Sequence, residues 1–169
     1  MGAAIENWAG NIVFEARATA RPSHLDELQQ LVAAATADER RLHAVGSRHS
    51  FNRIADAADL LVDVSALDTS IELDGEHVWC GAGRRYADLA NELQRRGRAL
   101  HNLPSLPHVT VGGAVATATH GSGRTNACLA AAVDAVEMVT AAGELVTIER
   151  GDVNFGGAVV ALGAIGVVT

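Results

Sequence analysis

The sequence predicts an α+β fold built of two small subdomains. Short β-type runs and 3.6-periodic stretches follow one another as strands, helix, strands, and the pattern recurs. With 169 residues, 49% of them hydrophobic and 20% charged, the chain can bury a sizeable interior, as one domain or as two subdomains sharing a core. A loop of small and polar residues, Gly46-Ser47-Arg48-His49-Ser50-Phe51-Asn52, stands where a strand ends after a helix has crossed over. Strand ends of that kind are where layered α/β and α+β folds commonly bind ligands.

Taken in order, Ile12 to Ala16 reads as an opening strand. A helix then starts after Pro22, with Ser23 as N-cap and Asp26 in the capping-box place. Leu25, Leu28, Leu31, Val32 and Ala35 fall on one face of that helix, which suits packing on a sheet. Leu42 to Val45, Leu60 to Val64, Ser70 to Leu73 and His77 to Cys80 are the next strands, the last two joined by an Asp74-Gly75 hairpin signal. A second helix carries Tyr86, Leu89, Ala90 and Leu93 on one face, Arg95 and Arg96 in its last turn, and Gly97 as its cap. Val136 to Thr140 and Leu145 to Ile148 flank Ala141-Ala142-Gly143-Glu144 as a second hairpin, with Asp134 and Glu137 on a solvated face. The run Ala161 to Thr169 is apolar to its last residues. A bare apolar strand would lack partners at its edge and on its face, so a truncated domain is expected.

Composition excludes several classes of function. A net charge of −7 argues against a nucleic-acid or anionic-membrane partner, because such binding draws on clustered basic charge. All 13 basic residues are Arg, which removes any Schiff-base or P-loop lysine. Cys80 and Cys128 form no C-x-x-C pair, so neither a disulfide framework nor a metal site is indicated and a reducing compartment fits. The N-terminus lacks the pattern of a secretory signal and no run is long enough to span a bilayer, so a soluble cytoplasmic protein is expected. No protein partner is indicated.

Two stretches carry chemistry. In the loop 46–52, glycine allows close backbone approach, and successive N–H groups with two serine hydroxyls can surround a phosphate. The stretch from His101 to Gly123 is nearly free of charge and dense in Gly, Thr, Ser and His, a surface on which a flat heterocycle can pack in low dielectric. Within it, His101, His108 and His120 are read as hydrogen-bonded structural residues, and Cys128 beyond it as a small buried one.

Together these stretches and the segment Gly156 to Val168 resemble the flavin-binding (PCMH-type) part of the vanillyl-alcohol-oxidase type of FAD enzymes, most closely the alditol (xylitol) oxidases of the sugar-1,4-lactone oxidase group. The resemblance implies an FAD-binding domain over residues 1–169, with FAD held between the two subdomains and the substrate domain absent. It implies that Gly46, Ser47, Arg48 and Ser50 hold the pyrophosphate, and that His49 is joined covalently to the flavin 8α carbon. Ser105, Thr110, Gly113, Thr117, Ala118, Thr119, His120 and Val167 match positions contacting FAD, and Ser105 has a second, substrate-side role. Thr110 stands for a usual serine and keeps the hydroxyl. Ala118 stands where glycine is common, which would crowd the isoalloxazine if its φ is positive. The implied reaction is oxidation of a polyol CH–OH group with O2 as acceptor and H2O2 as product. The alternatives are an aldonolactone (gulono- or arabinono-1,4-lactone) oxidase or dehydrogenase and a non-catalytic flavin-binding fragment.

Overall fold

Leu60, Leu61 and Val62 are each no more than 3% exposed, and this fully apolar triplet becomes the centre of the first sheet. In the computed structural model, which describes residues 5–68 and 70–169, the strands β1 (Ala18–Ala20) and β2 (Leu42–Ala44) both pair in parallel with β3 (Leu60–Val62). The order is β1-β3-β2. A parallel strand covered on both faces needs apolar side chains in both directions, which explains why β3 does not alternate. Leu60 and Val62 meet helix α1 (Leu25–Ala37) through Leu28 and Val32, while Leu61 points to the other side, against Phe14 and Val45.

Two expectations about this first unit are corrected. The opening strand is not at 12–16: Val13 makes a single β-bridge to Glu6, and the sheet edge is filled by Ala18–Ala20. Ile12 and Phe14 have strand-like character but spend it on packing against the back of the sheet. The edge goes to residues whose backbone reaches β3, with Ala18 N–H donating to Asp59 O and Asp63 N–H to Ala20 O. Position thus outweighs β-propensity. The cap of α1 is also displaced by one residue. His24 is the N-cap without a side-chain bond, and Ser23 donates through N–H and Oγ to Glu27 (2.8 and 3.2 Å) where Asp26 was expected.

The hairpin β4 (Ile71–Asp74) to β5 (His77–Cys80) turns at Gly75, whose φ of +59° favours glycine. Helix α2 (Tyr86–Arg95) ends as expected at Gly97 (φ +68°). Gly97 N–H bonds Gln94 O and Arg98 N–H bonds Leu93 O, the paired bonds of a Schellman ending. Arg95 and Arg96 turn back to Glu92 instead of serving the helix end.

After a short helix α3 (Val111–Ala116), β6 (Ala135–Val139) forms an antiparallel sheet with β7 (Leu145–Glu149) on one side and β8 (Val167–Val168) on the other, and α4 (Phe155–Val159) packs against it. The terminal apolar run is therefore not a bare strand. Residues 161–166 turn, Val168 pairs with Met138, and Thr169 N–H bonds Glu137 O. Asp134 lies beside Arg150 and His77, and its carboxyl is held below the usual range chiefly by the Arg150 hydrogen bond.

The α+β character of the chain holds, and its two halves share a core: Val139 and Val167 join Leu28, Val32, Leu60 and Val62 in one cluster. Polar bonds reinforce the join. Gln29 Nε2 donates to Gly143 O (2.8 Å) and Thr36 Oγ1 to Ala141 O (2.7 Å), fixing the β6–β7 turn on α1. Among the described residues, no helix is long and apolar enough to cross a membrane.

Candidate functional site

Where β2 ends, the chain leaves the sheet at Val45, whose N–H bonds Val62 O, and enters the loop 46–50. Among the described residues, no acceptor takes an N–H from any of these five positions. Arg48 holds φ +61°, a left-handed conformation that turns successive N–H groups toward one side and makes an anion-binding concavity. Glycine is required at 46, because a Cβ there would collide with Thr110 Oγ1. The same hydroxyl lies 2.8 Å from a Cβ built on Gly113. Thr110 Oγ1 thus sits between two glycines, and the first and second polar stretches meet on it.

Around this junction is a cavity of about 350 Å3. One wall is the loop 46–50 with His43 at its root. A second is α3 with Thr110 and Thr119, and a third is formed by Ala158, Val159 and residues 161–166. The lining is mostly apolar, which suits a planar heterocycle, with polar groups concentrated at the loop and at the ends of α3. Thr117 Oγ1 is turned back onto its helix, donating to Gly113 O (2.9 Å), and lies 3.1 Å from Thr119 Oγ1.

His49 is the most constrained side chain of the loop. Its Nε2 lies 2.5 Å from His108 Nε2, and its ring stacks on Trp8 with centroids 4.8 Å apart and planes inclined by 28°. Burial, followed by the neighbouring His108, lowers its pKa from the usual histidine value, so the ring is neutral at pH 7. The N-terminal segment braces this arrangement. Trp8 N–H bonds Arg48 O (2.8 Å), and Asn7, 4% exposed, donates through Nδ2 to Ser50 O (3.0 Å). Ser47 Oγ donates to His108 O (2.8 Å), tying the loop to the segment that precedes α3.

Of the site residues expected from sequence, Gly46, Ser47, Arg48, His49, Ser50, Thr110, Gly113, Thr117 and Thr119 line this cavity. Four lie elsewhere. Ser105 is exposed, and His120 is exposed with Nδ1 3.0 Å from Gly121 O. Val167 turns its side chain into the shared core while Gly166 and Val168 face the cavity. Ala118 stands just past α3 with φ +51°, the positive value at which an alanine in place of glycine is strained.

Asn7, Trp8, His108 and His43 were not expected at the site, and within the segment Gly156 to Val168 the turn 161–166 reaches the cavity where only Val167 was singled out. His43 lies 2.9 Å through Nε2 from Leu162 O, and a Cβ on Gly163 would press on its ring. No local signal marks a buried Asn or a stacking Trp in an N-terminal segment. His108 and its neighbours Pro107 and Val109 carried the available hint, a histidine inside the uncharged polar stretch.

The donor set fits a flavin dinucleotide. Unused N–H groups of the loop 46–50 accommodate a pyrophosphate against the backbone, and the apolar walls accommodate a ring system. These residues would hold FAD, which supplies a two-electron acceptor when bound.

Comparison with known proteins agrees with this fit. Over its whole length the chain is 46% identical to an alditol oxidase of Streptomyces sp. (strain IKD472 / FERM P-14339), of which it covers 41%. Over 96% of its length it is 34% identical to an L-gulono-1,4-lactone dehydrogenase of Mycobacterium tuberculosis, of which it covers 38%. The chain therefore spans about 40% of the length of these relatives. Its fold matches the crystal structure of cholesterol oxidase from B. sterolicum with a TM-score of 0.86 at 22% identity, over 98% of this chain and 35% of that one. The family model described as an FAD binding domain matches residues 16–149, and the chain belongs to that family of FAD-binding domains.

Proposed function

We propose that this chain is the FAD-holding part of an oxidoreductase that oxidises a CH–OH group of a polyol such as xylitol or sorbitol, with O2 as acceptor and H2O2 as product. The observation that carries the reading is 46% identity to an alditol oxidase along the entire chain, including both stretches that wall the cavity. The residues act by binding and orientation. The free N–H groups of 46–50 would hold the pyrophosphate, and Thr110, Gly113, Thr119 and the apolar wall of Ala158, Val159 and Ala161 to Gly163 would line the rest of the FAD site. His49 carries a covalent bond to the flavin, which a neutral imidazole with an available lone pair permits. Ser105, exposed in this chain, takes its substrate-side role only once further protein covers that surface. Free Cys80 and Cys128 accord with a cytoplasmic setting.

A second reading, oxidation of an aldonolactone, is favoured by the 34% identity to an L-gulono-1,4-lactone dehydrogenase. Anaerobic reduction of the flavin by xylitol, sorbitol and L-gulono-1,4-lactone, followed by turnover with a dye acceptor and with O2, measured on a protein of the relatives' full length, separates the two. Turnover of the lactone alone overturns the polyol reading. For the chain itself, FAD titration followed by acid precipitation is expected to leave the yellow colour in the pellet for the native sequence and in the supernatant for His49→Ala. Colour in the supernatant from both defeats the covalent assignment.

A further inference from the structure

We infer that His108 is a positioning residue for His49: it accepts the Nε2 proton of His49 and thereby leaves His49 Nδ1 as the nitrogen with a free lone pair. The inference rests on the proposed attachment of flavin through His49. Two imidazoles joined Nε2 to Nε2 at 2.5 Å need one donor and one acceptor, so the pair has two possible states. If His108 donates, the single proton of a neutral His49 sits on Nδ1, and neither of its nitrogens has a lone pair to spare. If His49 donates, Nδ1 is unprotonated. No described residue contacts Nδ1 of either ring by a hydrogen bond, so attachment is compatible with the second state alone.

Three contacts hold the rings for this. Trp8 covers one face of His49 at 4.8 Å and blocks rotation of the ring. Ser47 Oγ fixes the backbone of His108 through its carbonyl at 2.8 Å. Trp8 is in turn fixed by its N–H on Arg48 O, so the loop, the N-terminal segment and the segment before α3 converge on one pair of nitrogens. Burial keeps His49 neutral, which preserves the lone pair.

The covalent step balances with the acceptor already proposed. A C–N bond forms between His49 Nδ1 and the flavin 8α carbon, and one C–H bond of that methyl group is lost. The His49 Nε2 proton passes to His108 and on to solvent. Two protons and two electrons leave in all, and dioxygen takes them up as hydrogen peroxide. His108 removes the charge that would otherwise build on a doubly substituted imidazole.

The test uses the 169-residue chain labelled with 15N-histidine. Two-bond proton–nitrogen correlations of the flavin-free protein at neutral pH are expected to show His49 protonated on Nε2. His108→Ala should shift it to a mixture of tautomers, and His108→Gln, whose amide oxygen accepts the same proton, should restore it. Circular dichroism confirms that the variants remain folded. On incubation with FAD in air, the rate at which flavin becomes resistant to acid precipitation should fall at least tenfold in His108→Ala, with His108→Gln between that and the native rate. A proton on Nδ1 of native His49, or a tautomer indifferent to residue 108, overturns the inference, as does an attachment rate equal in the native chain and His108→Ala. A native chain that sets the tautomer but never retains flavin supports the pairing and overturns the attachment reading beneath it.

Discussion

At the scale of single residues, the site depends on where a Cβ is absent. Gly46 and Gly113 both face Thr110 Oγ1, so the hydroxyl occupies space that any larger residue at 46 would need. Gly46→Ala should therefore displace Thr110 or the loop at a cost of roughly 1–3 kcal/mol, read as an about fivefold to hundredfold loss of FAD affinity by fluorescence quenching. Removing the obstructing hydroxyl in Gly46→Ala/Thr110→Ala should recover part of that loss, and a purely additive double variant would show that the two positions do not meet. Ala118 is the converse case. With φ +51° it pays about 1 kcal/mol for its left-handed backbone, so Ala118→Gly should raise the denaturation midpoint or leave it level. A clear fall would mean that the alanine methyl has a packing role.

At the scale of elements, the ends of helices and hairpins are where local chemistry acts most directly. A Cβ at Gly97 meets nothing within 4 Å, so Gly97→Ala tests conformation alone. The expected loss is about 1 kcal/mol from forcing alanine to φ +68°, measured by urea denaturation. Gly143 differs, since a Cβ there would come within 2.9 Å of Gln29 O and so disturb the join between the two halves as well as the turn. The endings at Gly97 and Gly75 were legible because a glycine after a periodic run has one economical use. The strand at 18–20 was not legible. Alanines and a threonine have no strong strand pattern, and their pairing is decided by the open edge of β3, whose partner residues lie 42 positions away in sequence.

At the scale of the whole molecule, stability and pH are linked through buried titratable groups. Tyr86, 5% exposed, has its pKa pushed up to about 12, chiefly by burial. The unfolded chain loses that proton from about pH 10 upward while the folded chain keeps it, so the Tyr86 contribution, roughly 3 kcal/mol, is intact below pH 10 and lost as pH approaches 12. His49 acts at the other end. Its folded pKa lies below its unfolded one, so the unfolded chain binds more protons as pH falls beneath 6.5, and stability should decrease there. Thermal denaturation across pH 5 to 8 should show this slope in the native chain and a shallower one in His49→Gln. An equal slope in both would assign the acid sensitivity to other groups.

The sequence by itself determined the composition of the layers and the two polar stretches. Periodicity, turn glycines and the absence of charge are properties of neighbours along the chain, so they can be read without coordinates. What only the tertiary structure decided is which distant residues share the cavity. Gly46 against Thr110, His49 against His108, Trp8 across His49 and His43 against Leu162 are separated by between 41 and 119 positions. Sheet β1-β3-β2 and the pairing of β6 with β8 bring them together. Val167 shows the same division within two residues: the resemblance set it against FAD, but the register of β8 on β6 turns Val167 into the core and Val168 to the cavity.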